Sequence, residues 1–151
     1  MKLLLIIILF IQSLILAGQN TTLCLTYAPT DRGTGFRYDK QITDIGIYGS
    51  ASRGSYRFND GQRINNHIKL SSGVVKYFQN KSKNTCNLFS LGLSYHSYGK
   101  IKDESIPIHD HVFFPVSLDV GVGFIINHFN IGWCYDPIKK EVIVNSGFYF
   151  Y

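Results

Sequence analysis

The stretch Ser94-Tyr95-His96-Ser97 holds the raw material of acyl transfer: hydroxyls close to an imidazole. A serine becomes a nucleophile when a histidine within hydrogen-bond reach takes its proton. Spacing decides which serine qualifies. In a strand, side chains alternate between faces, so His96 and Ser97 point to opposite sides and Ser94 shares the face of His96. A second cluster, His109-Asp110-His111, follows Asp103 and Glu104. Two histidines in an H-x-H pair beside carboxylates suit a divalent metal such as zinc. No third placed ligand accompanies them, so His109 and His111 are expected to be a solvated loop. No cofactor is expected. Cys24, Cys86 and Cys134 carry no metal-site spacing, and an odd number cannot pair fully within one chain. They are expected to be small buried or lipid-facing residues.

Whether Ser94 and His96 can act depends on the elements that carry them. The chain has 151 residues, enough for one domain. It opens Met1-Lys2, runs through aliphatic residues to Ile11, and reaches Ala17-Gly18-Gln19. One positive residue, an apolar core and small residues predict a cleaved signal peptide over 1–19, cut between Ala17 and Asn20. Gln19 stands where a lipoprotein signal would need cysteine. The stretch is short for a spanning helix, and Gln12 and Ser13 interrupt it. The formal charge of +5 falls to +4 once Lys2 is removed. The basic residues are scattered, which argues against nucleic acid as a partner.

After residue 20 the alternation has a period of two, punctuated by Gly, Asn and Asp. Eight strands are predicted: 21–28, 34–42, 44–58, 66–78, 86–100, 114–127, 129–136 and 141–151. In the sixth, Val116, Leu118, Val120, Val122, Phe124 and Ile126 oppose Ser117, Asp119, Gly121, Gly123, Ile125 and Asn127. The polar face is rich in Gly, Ser and Asn, which suits a crowded interior better than an open surface. A small transmembrane barrel has this inverted arrangement, apolar outside and polar within. Arg37, Asp39, Lys69, His96 and Asp119 are then expected to form an interior polar network, since buried charges need partners. Tyr27, Tyr38, Tyr77, Tyr95, Trp133, Tyr135 and Tyr149 fall near strand ends, where amphipathic rings form membrane girdles. The alternative is a soluble exported β-sandwich or small barrel, with the apolar faces as its core and a ligand-binding role.

The leader, the eight alternating strands and the ending "VNSGFYFY" together resemble small bacterial outer-membrane β-barrels of the OmpX, OmpA and OmpW kind. The resemblance lies in pattern across 20–151, not in residue identity. It implies an all-β, eight-stranded antiparallel up-and-down transmembrane barrel in a Gram-negative outer membrane. The role it implies is structural, or one of surface interaction through loops that meet an extracellular partner, with no large pore. It implies outer-membrane lipid as surroundings. It also implies that the barrel-assembly machinery reads Phe148, Phe150 and Tyr151, although Tyr151 has the wrong parity for the usual terminal aromatic. Some such barrels are lipid A deacylases with Ser and His at i and i+2 on one strand. Here Ser94 and His96 have that spacing but point inward, so no enzymatic activity is expected.

Overall fold

The computed structural model describes residues 20–29, 32–57, 63–80, 84–97 and 115–150. Eight strands appear in chain order: β1 (Thr21–Ala28), β2 (Gly33–Gln41), β3 (Ile45–Arg57), β4 (Arg63–Asn80), β5 (Thr85–Ser97), β6 (Val116–Ile126), β7 (Phe129–Asp136) and β8 (Glu141–Phe150). Each pairs antiparallel with its neighbours, and the sheet closes into a barrel. Closure runs from Thr21 opposite Phe150 to Tyr27 opposite Val144. It leaves no unpaired sheet edge, the condition that hydrocarbon imposes on any spanning sheet.

Most expected strands match to within one or two residues. The exception is β4, which begins three residues earlier and ends two later than 66–78. Residues 58, 98–100, 114 and 151, expected to extend four of the strands, lie outside the described residues. The β2–β3 turn spans Ile42 to Asp44 rather than Thr43 alone. The β6–β7 corner is Asn127-His128, with Asn127 at a φ of 54°. Asparagine tolerates this left-handed conformation better than most side chains.

An even strand number brings both chain ends to one end of the barrel, with the turns after β2, β4 and β6. The opposite end carries the connections after β1, β3, β5 and β7. Contacts between strand ends lock the first. The Gln41 amide donates to the Asn20 carbonyl at 2.8 Å, and the Tyr149 amide to that of His128 at 2.7 Å. The Tyr149 hydroxyl lies 2.8 Å from Gln41 Oε1 and 3.1 Å from Asn20 Oδ1.

Burial alternates along the strands, and the polar face is the buried one. On β8, Glu141, Ile143, Asn145, Gly147 and Tyr149 point inward, while Val142, Val144, Phe148 and Phe150 are exposed. On β5, Phe89, Leu91, Leu93 and Tyr95 are exposed, while Ser90, Ser94 and His96 are buried. The apolar faces therefore form no core, and a single closed barrel takes the place of the two packed sheets of a sandwich. Two expected girdle residues are corrected. Tyr77 and Tyr149 are 3% and 4% exposed and lie inside the barrel. Strand parity turns them inward, which outweighs their position near strand ends.

Candidate functional site: the filled lumen

The lumen is built in tiers. At the end bearing the termini, Tyr48, Val75, Tyr77, Leu88, Ile125 and Tyr149 pack into an apolar plug. Its bulk is accommodated by missing side chains elsewhere. A Cβ on Gly92 would run into the Tyr48 hydroxyl, and one on Gly73 would meet the Tyr48 ring at 2.7 Å. Both glycines sit on inward faces of β4 and β5, paired with each other. Tyr48 crosses the space they leave.

Above the plug sits Arg37 on β2. Its Nε donates to Asp39 Oδ1 at 2.8 Å. The two residues are two apart, so the strand itself aligns them. The guanidinium lies 4.1 Å from the Tyr48 ring centroid, a cation–π contact in a desolvated setting. Arg37 Nη1 also donates to Cys134 Sγ at 2.9 Å. Cys24 and Cys134 are buried and Cys86 is partly buried; all three are free thiols. A lumen cavity of about 20 Å³ remains beside Cys24, Arg37, Asp39 and Asn145. That holds about one water.

The tier toward the loop end centres on Lys69 of β4. Its ammonium donates to Asp119 of β6 at 2.9 Å and to Glu141 of β8 at 3.3 Å. Asp136 of β7 lies 3.7 Å away. All four side chains are at least 95% buried. Asp136 has a second function. Its Oδ1 accepts the amides of Ile138 and Lys139 at 3.0 and 2.9 Å, shaping the β7–β8 turn. Its Oδ2 accepts the Ser117 hydroxyl and lies 3.2 Å from His96 Nε2. His96 Nε2 is also 2.8 Å from Ser117 Oγ. His96 Nδ1 faces His67 Nε2 at 3.0 Å. Ser94 Oγ and Ser71 Oγ bond at 2.9 Å.

The structure thus places Arg37, Asp39, Lys69, His96 and Asp119 in the lumen, as two groups rather than one. Arg37 pairs with Asp39, whereas Lys69 and Asp119 join His96 through Asp136. The expected set omitted Asp136, Glu141, His67 and Ser117. Asp136 was legible by parity with Asn130, Gly132 and Cys134; which strand it meets across the lumen was not. Phe148 and Phe150 are exposed on β8. His109, His111 and Tyr151 lie outside the described residues. Ser94 and His96 share the inward face, where His96 Nε2 meets Ser117 and Asp136. The acyl-transfer arrangement needs a carboxylate on one imidazole nitrogen and a nucleophile on the other. Here both fall on the same nitrogen.

No family model matches the sequence, and no curated protein matches it. Among solved structures, the N-terminal β-barrel domain of Pseudomonas aeruginosa OprF superposes with a TM-score of 0.53. The shared fold is a closed eight-stranded antiparallel β-barrel. Identity to the OprF domain is 16%, over 88% of this chain and 98% of that one. Ail, the attachment invasion locus protein of Yersinia pestis, solved in complex with the heparin analogue sucrose octasulfate, is 14% identical. It gives a TM-score of 0.35 over 87% of this chain and 96% of that one.

Proposed function

We propose that the protein is an integral outer-membrane barrel of a Gram-negative bacterium, exported by residues 1–19 and inserted as the domain 20–151. Its role is structural or surface-interactive. One observation carries this reading. Large apolar side chains stand 38–64% exposed around the wall, while lysine, arginine and carboxylates are buried within. In water that distribution is inverted, and an apolar patch beyond a few hundred Å² marks a binding or membrane surface. In lipid it satisfies both sides of the wall. Tyr27, Tyr95 and Tyr135 stand near the loop end of the outer wall, where amphipathic rings suit a headgroup boundary.

The plug and the ion pairs fill the lumen, which supports a closed barrel over a diffusion pore. Loops at the end opposite the termini would then meet an extracellular partner. Phe148 and Phe150 lie on the outer face of the closing strand, where the assembly machinery would read them together with Tyr151. The protein extracted from membranes should need detergent to stay monomeric, and its gel band should shift on heating. A chain that folds and remains monomeric in plain buffer would refute the membrane reading.

A further inference from the structure

The barrel mouth at the end bearing the termini holds a cavity of about 220 Å³. The apolar plug is its floor: Ile125 and Tyr149 line it and belong to the plug, and Cys86 lines it and packs against the plug. Its walls are Gln41, Gln79, Asn80 and Asn84. Strand parity turns Gln79 inward with Tyr77, opposite Cys86 of β5. Gln79, Asn80 and Asn84 are exposed, so a solute reaches the cavity from outside the lumen. The rim is also fixed in place. Asn84 has a φ of 51°, and its carbonyl accepts the Asn127 amide at 3.2 Å, which ties the start of β5 to the β6–β7 corner.

Two of the four carboxamides are taken. Gln41 Nε2 donates to the Thr43 carbonyl, and Gln41 Oε1 accepts from the Tyr149 hydroxyl. Asn80 is engaged elsewhere. The carboxamides of Gln79 and Asn84 make no hydrogen bond among the described residues. Each offers two N–H donors and a carbonyl acceptor.

These groups restrict what fits. No charged side chain lines the cavity among the described residues, which favours a neutral ligand. The volume is below the range of about 300–1,000 Å³ that takes a drug-sized molecule, so the bound part is small. An extended peptide docks best on a free sheet edge, and the closed barrel has none. A sugar ring with an acetamido group meets the remaining demands. Its hydroxyls, N–H and C=O match carboxamides that both donate and accept. Its C–H face and methyl group suit the apolar floor.

We propose that this vestibule binds a neutral N-acetylated amino sugar. Gln79 and Asn84 hold its acetamido and hydroxyl groups, and Ile125 and the Tyr149 ring take its apolar face. Gln41 positions Tyr149 by accepting its hydroxyl proton. That this mouth faces the periplasm rests on the membrane reading, but the binding does not. The two fail separately: detergent dependence tests the first, and titration with sugar tests the second.

The test uses the full protein in a zwitterionic detergent without a sugar head group, titrated with diacetylchitobiose. The side-chain amide resonances of Gln79 and Asn84 in the wild type should move and saturate, a readout that does not depend on any variant folding. Gln79→Met and Asn84→Gly should each weaken binding by about 3–10-fold, the worth of one hydrogen bond. Glycine at 84 keeps the left-handed backbone while removing the carboxamide. Cys86→Phe should fill the floor and abolish binding, with folding verified by far-ultraviolet circular dichroism. Glucose, which lacks the acetamido group, should bind more weakly than the probe. Lys81 and Lys83 lie outside the described residues, so glucuronic acid joins the test as an anionic sugar. Tighter binding of glucuronic acid than of the probe would overturn the proposal. So would wild-type resonances of Gln79 and Asn84 that stay unmoved up to the solubility limit of the probe.

Discussion

At the residue scale, Lys69 is the most consequential side chain in the lumen. It faces three carboxylates from three strands. Removing one partner of a buried ion pair leaves charge uncompensated. Lys69→Met should therefore cost about 3–5 kcal/mol of barrel stability, read from urea-induced unfolding in lipid vesicles. Adding Glu141→Gln should recover part of that loss. Equal stability of Lys69→Met and wild type would show that the carboxylates are neutralised some other way. A contrasting pair sits in the turn at the termini end. Lys76 donates to Asp44, with side chains 40% and 64% exposed. That hydrogen bond holds the Asp44 carboxyl below its usual range. A lowered carboxyl contributes stability above the ordinary carboxylate pKa of about 4 and loses it as pH falls through the lowered value. Exposure and salt keep the contribution small. Lys76→Ala should move the Asp44 midpoint upward in a carboxyl-carbon NMR titration, and an unmoved midpoint would contradict the assignment.

At the element scale, period-two alternation made the strands legible, because one face had to be small or polar and the other apolar. The ends of β4 were less legible. Strand length is set by hydrogen bonds to β3 and β5, and those partners are invisible in the residues of β4 themselves. Tyr77 and Tyr149 show where position and parity conflict: nearness to a strand end suggested a girdle, and parity put them in the plug. The lumen partners were the least legible. Lys69 and Glu141 are 72 residues apart, and only barrel closure brings them together. The glycines of β4 and β5 had the same obscurity. Gly92 reads as strand punctuation in sequence, yet a Cβ there would collide with the Tyr48 hydroxyl and the Ser72 carbonyl oxygen. Gly92→Ala should destabilise the barrel by about 1–3 kcal/mol, the usual range for overpacking. Tyr48→Ala in the same chain should relieve only the ring contact, since the backbone contact remains. Full rescue by Tyr48→Ala would mean that the β4–β5 ladder shifts freely.

At the scale of the whole molecule, the same chain must satisfy two environments across one sheet thickness, and depth along the wall provides the test. On the outer face of β5, the run Phe89, Leu91, Leu93 and Tyr95 climbs from the termini end toward the loop end. Leu91 sits midway, paired with Val74 on one side and Val120 on the other. Ile126 is the last residue of β6, next to the Asn127-His128 corner at the termini end. Both are exposed, Leu91 by 47% and Ile126 by 54%. In water an arginine at either position would be nearly neutral. In a bilayer the cost depends on depth, about 2–4 kcal/mol at the midplane and about 0–1 kcal/mol near the interface. Leu91→Arg should therefore destabilise the barrel by several times more than Ile126→Arg in phospholipid vesicles. The same contrast should shrink in a short-chain detergent, whose apolar layer is thinner and more deformable. Equal costs at the two depths would remove the membrane from the account of this wall and leave its apolar surface to a protein partner.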